Sequence, residues 1–280
     1  MLTRIDRIQV ATPDIGTAAS RWGILLGAEH DGDDVVSALA ARRSRYRVGD
    51  GWVEFLEPDG AGPVADALAE RGGAHLFAAG AATVDVDELV LRFVERGQKV
   101  AVEGGQAFLD ADATGGYGLR LVVSAEDDLP SVGAIDYLYE VTNLVANADA
   151  AVAEYADGFG FHPSSEMVPI ESKEYGYRGF LTLFHPDRLH RFEVINPHDR
   201  DKTMGRYFGK FGESLYMCFA ESNQLASVAE RCKEAEAPIT EVGNHTLFLH
   251  PAALGGVMVG LSRPTYAWTW SGHPERVETT

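Results

Sequence analysis

Two sets of side chains in this sequence carry groups able to move protons or hold charge, one set in each half. In the first half Arg7, Gln9, Glu54, His75 and Arg120 fall on matching faces of strand-like runs when alternate residues are followed. Two guanidiniums there could grip a carboxylate or phosphate while Glu54 and His75 handle protons. The competing reading is an ion-pair plug of Arg7, Glu54 and Arg120 that fills a site without chemistry, since such a trio persists in a core only when paired. In the second half Tyr137, Tyr139, Glu193, Tyr216 and Met258 fall together, a single carboxylate among aromatic and apolar neighbours. That composition suits an organic ligand with a few polar handles. His245 starts a strand that would line the same space. A desolvated Glu193 would have its pKa raised and could act as general base or acid, with Tyr137 or Tyr216 polarising a carbonyl by hydrogen bond. The competing reading here is a set of tyrosines that only fill volume.

The elements that must position these residues are written twice along the chain. Ile5-Asp6-Arg7-Ile8 returns as Ile135-Asp136-Tyr137-Leu138, and Glu54-Phe55-Leu56-Glu57-Pro58 as Glu193-Val194-Ile195-Asn196-Pro197. His75-Leu76-Phe77-Ala78 answers Tyr216-Met217-Cys218-Phe219, and the run from Gly115 to Leu121 answers the run from Gly255 to Leu261. The offsets are 130, 139, 141 and 140, so one insertion of about nine residues near 160–180 accounts for nearly all the drift.

Within the first half, residues 4–11 alternate as a strand broken by Thr12-Pro13-Asp14, and Asp14 is a plausible N-cap for a helix ended by Gly27. A hairpin over 45–57 turns at Gly49-Asp50-Gly51, a strand runs from His75 to Ala82, and a helix from about Asp87 to Arg96 stops at Gly97. Strands near 99–103, 106–110 and 117–123 complete a βαβββ order. The second half repeats the course, with strands at 134–141, 214–220, 245–249 and 256–262, helices at 147–158 and 222–236, and a hairpin over 179–195. A long loop is expected at 197–211. It holds Arg200, Lys202, Arg206 and Lys210, either as a lid for an anionic substrate or as a solvated connector. The charged, proline-terminated stretch 126–130 is the best linker, giving domains at 1–126 and 132–280. The tail from Pro264, with Trp268 and Trp270, is expected to cross the second domain; an oligomer contact is the alternative.

Bulk properties narrow the classes. A formal charge of −18, spread along the 280 residues, argues against nucleic acid and anionic membranes. No apolar run nears the roughly 20 residues of a membrane span, and the first residues lack a signal-peptide core. Cys218 and Cys232 read as reduced, buried thiols of a cytoplasmic protein. There is no glycine-rich phosphate loop, nucleophile elbow or paired-cysteine zinc motif. His185 and His190 flank a hairpin turn, His250 precedes a proline, and His162, His198 and His273 sit in loop-like segments, so surface or turn positions are expected for all six.

These motifs, in this order and twice over, resemble the vicinal oxygen chelate superfamily, which includes glyoxalase I, bleomycin-resistance proteins, extradiol dioxygenases and methylmalonyl-CoA epimerase. The resemblance runs from Arg4 to Pro264 and in the first half is nearest the epimerase and glyoxalase branch. It implies an α+β fold of four βαβββ units in two tandem domains, each curling into a cleft whose floor holds a divalent metal. Carried onto this chain, the implied ligand positions are Arg7, Glu54, His75 and Arg120, then Tyr137, Glu193, Tyr216 and Gly260. Such an ion needs three or four N or O donors at about 2.0–2.2 Å. Guanidiniums cannot supply a lone pair, and phenols with a pKa of about 10 ligate only when ionised. The expectation is therefore no metal and no cofactor.

The reading reached is a metal-independent isomerase- or lyase-type enzyme. It would move a proton next to a carbonyl on a hydrophobic organic acid or acyl thioester. Glu193, Tyr137, Tyr216, His75 and Glu54 are the catalytic candidates, and Tyr139, Met258, His245, Arg7 and Arg120 the substrate-binding ones. The alternatives are a non-catalytic binding or resistance protein and a metal-dependent dioxygenase or glyoxalase-like enzyme. The expected partner is a small molecule, not nucleic acid or membrane, with a homodimer left open.

Overall fold

Asp14 accepts a hydrogen bond from the Thr17 backbone N–H at 3.0 Å and starts the first helix, and Gly27, at φ 71°, ends it. Asn147 accepts from the Ala150 N–H at 3.1 Å and Gly160 at φ 79° closes the equivalent helix of the second half. The same capping device thus sets the same unit twice. The computed structural model describes residues 1–278.

In the first half the order is β1 (Leu2–Ala11), α1 (Ile15–Leu26), β2 (Glu29–Val36), β3 (Ala41–Val48), β4 (Gly51–Pro58), α2 (Pro63–Arg71), β5 (His75–Thr83), α3 (Val86–Glu95), β6 (Ala101–Glu103), β7 (Gln106–Leu109) and β8 (Leu121–Ala125). The second half follows with β9 (Tyr137–Leu144), α4 (Ala148–Phe159), α5 (Pro163–Glu166), β10 (Met167–Ser172), β11 (Tyr177–Leu183), β12 (Arg191–Asn196), α6 (Thr203–Phe211), β13 (Ser214–Glu221), α7 (Leu225–Glu234), β14 (Ile239–Val242), β15 (Thr246–Leu249) and β16 (Met258–Ser262). The strands form two eight-stranded sheets, ordered β2-β3-β4-β1-β5-β8-β7-β6 and β10-β11-β12-β9-β13-β16-β15-β14. Each sheet is two βαβββ units joined through β1 and β5, or β9 and β13, which run antiparallel.

One face of each sheet contributes to a single core shared by the two halves. Ile8, Phe55 and Leu121 from the first sheet pack in it with Val141, Phe192 and Val259 from the second, together with residues of α1 and α4. The Trp22 indole N–H donates to the Leu254 carbonyl at 3.0 Å across the seam. The seam tolerates little: a Cβ on Gly118 would lie 2.4 Å from the Glu213 backbone. The opposite face of each sheet forms the concave side, where the candidate residues lie.

Several expectations need correction. The segment 197–211 is not all loop: Thr203–Phe211 is the helix α6, which presents Phe208 and Tyr207 to the second sheet. The edge strands β2, β10 and β14 went unread, because a strand paired on one side only can be polar throughout, as Glu29–Asp34 is. His190 is not a surface histidine. Its Nδ1 accepts the Ile5 N–H at 3.2 Å where the two halves meet, and burial holds its pKa down near about 3.

The register also realigns the repeat. Gln9 pairs with Glu54 and Thr142 with Glu193, while Arg7 pairs with Gly80 and Glu140 with Phe219. Arg7 therefore corresponds to Glu140, not to Tyr137. Ala79 pairs with Leu121 and Cys218 with Val259, so Gly260 corresponds to Val122 rather than Arg120. The bulged residues Asp6 and Tyr139 also correspond, so the mismatch comes from the short likeness of Ile5-Asp6 to Ile135-Asp136 and not from the bulges.

Candidate functional site

The first concave face is closed by charge. Glu54 is fully buried on β4, next to the central β1, and both its oxygens are taken: Oε1 accepts from Arg7 at 3.1 Å, and Oε2 from Gln9 at 2.8 Å and Arg43 at 3.3 Å. Arg7 is also paired with Asp6 at 2.6 Å, and Arg43 with Asp34 at 2.6 Å. Burial alone would raise the Glu54 pKa, but Arg7 and Arg43 overcome it and hold the carboxyl below its ordinary range. Apolar side chains, among them Leu39, Leu56, Phe77 and Phe108, fill the rest of the face. The plug thus exists, with Arg43 as its second cation. Arg43 was missed because it lies in the basic run Ala41–Arg47, whose inward member cannot be told apart without knowing the register.

Arg120 lies elsewhere, stacked on Phe77 at 5.0 Å. It shares a cavity of about 150 Å³ at the seam with His75, Arg71, Glu70 and residues 213–215. The sequence placed His75 and Arg120 with Arg7 and Glu54; the structure separates the two pairs. His75 donates through Nδ1 to the Gly73 carbonyl at 2.9 Å, while Nε2 is buried with no partner. Burial, first, and the nearby Arg71 and Arg120 lower its pKa to about 4.

The second concave face carries Glu193 at the position equivalent to Glu54, under different conditions. Among the described residues no cation bonds to it. Its Oε2 accepts from Thr142 Oγ1 at 2.7 Å, and the Tyr177 hydroxyl lies close by. Burial, then the charge of Glu140, pushes its pKa up to about 8. The adjacent Arg191, with no exposed surface, is committed to Glu140 at 2.6 Å and to Ser271 at 2.7 Å. Thr142 and Tyr177 were not foreseen. Thr142 could have been found by pairing Gln9-Glu54 with Thr142-Glu193, whereas Tyr177 lies on a strand whose start was not visible.

The remaining candidates of the second half have partners of their own. Tyr137 is raised in pKa by burial and then by the charge of Glu221, so it sits beside Glu221 rather than Glu193. Tyr139 is buried, with its hydroxyl 3.2 Å from Ser262 Oγ and Arg191 above its ring at 5.1 Å. Tyr216 is half-buried against Tyr207 of α6 at 4.9 Å, and burial lifts its pKa to about 12. Met258 is half-buried beside Met217. His245 stacks on Tyr266 of the tail at 4.0 Å. At Gly260 the Phe219 ring occupies the position a Cβ would take. The tail crosses this face, with Trp268 buried and Trp270 5.5 Å from Phe219.

The divalent ion implied by the resemblance does not fit these donors. On the first face Glu54, Asp6 and Asp34 are all taken by guanidiniums, and on the second Glu193 stands beside hydroxyls while Glu140 is held by Arg191. Among the described residues no group of three or more His, Cys, Asp and Glu side chains is placed to hold a metal.

The curled sheets and tandem arrangement define the vicinal oxygen chelate fold in its two-domain form. Over 94% of this chain and 93% of the other, the structure superposes on a mutant of 4-hydroxymandelate synthase from Streptomyces coelicolor with TM-score 0.68 and 12% identity. It superposes on BphC, a halotolerant catechol dioxygenase, over 94% and 87% of the two chains with TM-score 0.62 and 14% identity. A methylmalonyl-CoA epimerase from Mycobacterium tuberculosis is 20% identical over 49% of this chain and 93% of its own, with TM-score 0.40. No protein-family profile matches the chain, and no curated protein matches it significantly. No helix among the described residues is long and apolar enough to cross a membrane.

Proposed function

We propose that this chain is a metal-independent enzyme that moves a proton next to a carbonyl on a hydrophobic organic acid or acyl thioester, with Glu193 as its base. One observation carries the reading. Two carboxyls at the same place in two copies of one sheet differ in that Glu54 is bound by two guanidiniums and Glu193 only by hydroxyls. A carboxylate locked in ion pairs is a poor base. One poised near neutrality in an aromatic, water-poor setting can take and return a proton. Tyr177 is the hydroxyl best placed to share charge with it, and Tyr216 belongs to the same apolar cluster under α6.

A second reading, a binding protein that sequesters an aromatic or hydrophobic compound, is favoured by the tail. Phe219, Phe248, Trp268 and Trp270 give the face an apolar wall that can hold a ligand without reacting with it. Solvent-deuterium exchange separates the two. Under the enzyme reading the wild type incorporates deuterium next to the carbonyl of a bound acid or thioester, Glu193→Gln abolishes exchange, and binding survives. Exchange that persists in Glu193→Gln sinks the assignment of the base, and tight binding without exchange in the wild type supports sequestration. Activity that tracks a stoichiometric bound metal sinks the metal-independent reading.

A further inference from the structure

The cavity at the seam is separate from Glu193 and has a polarity that specifies its ligand. It is walled by the end of α2 (Glu70, Arg71), the start of β5 (His75, Phe77), Arg120 beside β8, and Glu213 to Leu215 leading into β13. Its volume of about 150 Å³ is room for about five water molecules at about 30 Å³ each, the size of a small organic anion.

Three groups face this space with bonding capacity to spare. Among the described residues, the Arg120 guanidinium has neither an ion-pair nor a hydrogen-bond partner and only stacks on Phe77. Arg71 has no ion pair. It donates one bond to the Tyr207 hydroxyl at 3.1 Å and lies over Phe211 at 4.6 Å, which fixes its head against α6. His75 is 7% exposed, and its Nε2 is buried without a partner. Its tautomer follows from its other nitrogen: a carbonyl can only accept, so Nδ1 carries the proton donated to Gly73. In the neutral ring Nε2 is then a bare acceptor, and an acceptor left buried and unpaired is unfavourable.

The ligand must therefore present acceptors to two arginines and a donor to one imidazole. Glu70 and Glu213 also stand at the wall, Glu213 with one oxygen held by the Ala146 N–H at 2.9 Å. Glu70, exposed and screened by solvent, and Glu213, partly held by a backbone N–H, offset the two guanidiniums only in part, which favours a monoanion over a dianion. A small hydroxycarboxylate meets every condition: its carboxylate bridges Arg71 and Arg120, and its hydroxyl donates to His75. We infer that this seam cavity is a binding site for a small hydroxycarboxylate, recognised by Arg71, Arg120 and His75 together.

The test is calorimetric titration of the whole protein at neutral pH with four probes: lactate, propionate, inorganic phosphate and sulfate. The expected result is saturable one-to-one binding of lactate, with propionate, which lacks the hydroxyl, at least tenfold weaker. Arg120→Gln should weaken lactate at least tenfold. His75→Phe should erase the preference for lactate over propionate. Since a cavity variant may lose its fold, the unmodified protein gives a second measurement: the His75 Nε2 nitrogen-15 resonance should shift on adding lactate and stay still on adding propionate. Equal binding of lactate and propionate, binding of phosphate or sulfate in preference to lactate, or no saturable binding at all would each overturn the inference.

Discussion

Replacing the two equivalent carboxyls, Glu54→Gln and Glu193→Gln, should change stability in opposite directions, and pH should separate them. Glu193 in the folded protein has its pKa raised from 4.5 to about 8, chiefly by burial. A raised folded pKa means stability fully present below the unfolded value and lost as pH rises through the folded one. At 1.36 kcal/mol per unit, the loss between pH 5 and pH 9 is bounded near 4 kcal/mol, and relaxation around the buried charge brings it to about 2 kcal/mol. Glu193→Gln removes that titration, so relative to wild type it should gain about 2 kcal/mol on going from pH 5 to pH 9.

Glu54 behaves inversely. Its pKa is held down by Arg7 and Arg43, so it contributes stability above its unfolded pKa that is lost as pH falls. Glu54→Gln leaves two guanidiniums deprived of a shared partner, at a cost of about 3–5 kcal/mol at pH 7, or roughly 6–20 °C in melting temperature for a chain of this size. Urea unfolding of the three proteins at pH 5, 7 and 9 reads both effects. If the wild-type and Glu193→Gln stabilities run parallel from pH 5 to pH 9, Glu193 titrates as an ordinary carboxyl and the reasoning about its environment fails.

Other perturbations follow from the same contacts. Gly80→Ala would put a Cβ 1.9 Å from Arg7 Cγ, so it should break the Arg7–Glu54 pairing and lower the unfolding midpoint by more than an ordinary overpacking change of about 1–3 kcal/mol; a melting curve near wild type would contradict the register. Trp268→Ala should cost about 3 kcal/mol and uncover the second concave face, read as increased fluorescence of a hydrophobic dye, and no dye response would mean the tail does not cover it.

How far the sequence reaches here depends on which interaction sets each feature. The α+β class and the doubled unit were legible because helix caps such as Asp14 and Gly27 are local, and because Glu54 and Glu193 head the same short motif. The concave faces were legible only as alternation. Which residue meets which is decided by pairing register, which leaves no compositional trace; the bulges at Asp6 and Tyr139 fall at equivalent places in the two halves and do not disturb the match. Tyr137 was matched to Arg7 because Ile5-Asp6 and Ile135-Asp136 are alike, whereas the register makes Glu140 the counterpart of Arg7. Arg43, Thr142, Tyr177 and Arg71 were missed for a related reason: their importance comes from strands or helices far away in the chain.

The realigned register explains why the two faces diverged electrostatically. At one position the first sheet has Arg7 and the second has Glu140; one strand over, they share Glu54 and Glu193. In the first sheet opposite charges meet and neutralise each other in place. In the second, like charges meet, and the conflict is relieved only in part because Arg191 pairs with Glu140 rather than with Glu193. One carboxyl of the pair must then stay close to neutral, and Glu193, with hydroxyl partners that serve a protonated or an ionised acid, is the one able to do so. Arg191→Met should therefore raise the Glu193 pKa further while destabilising the fold through the unpaired Glu140. A Glu193 carboxyl carbon-13 titration that moves to lower pH in that variant would refute this account of the charge balance.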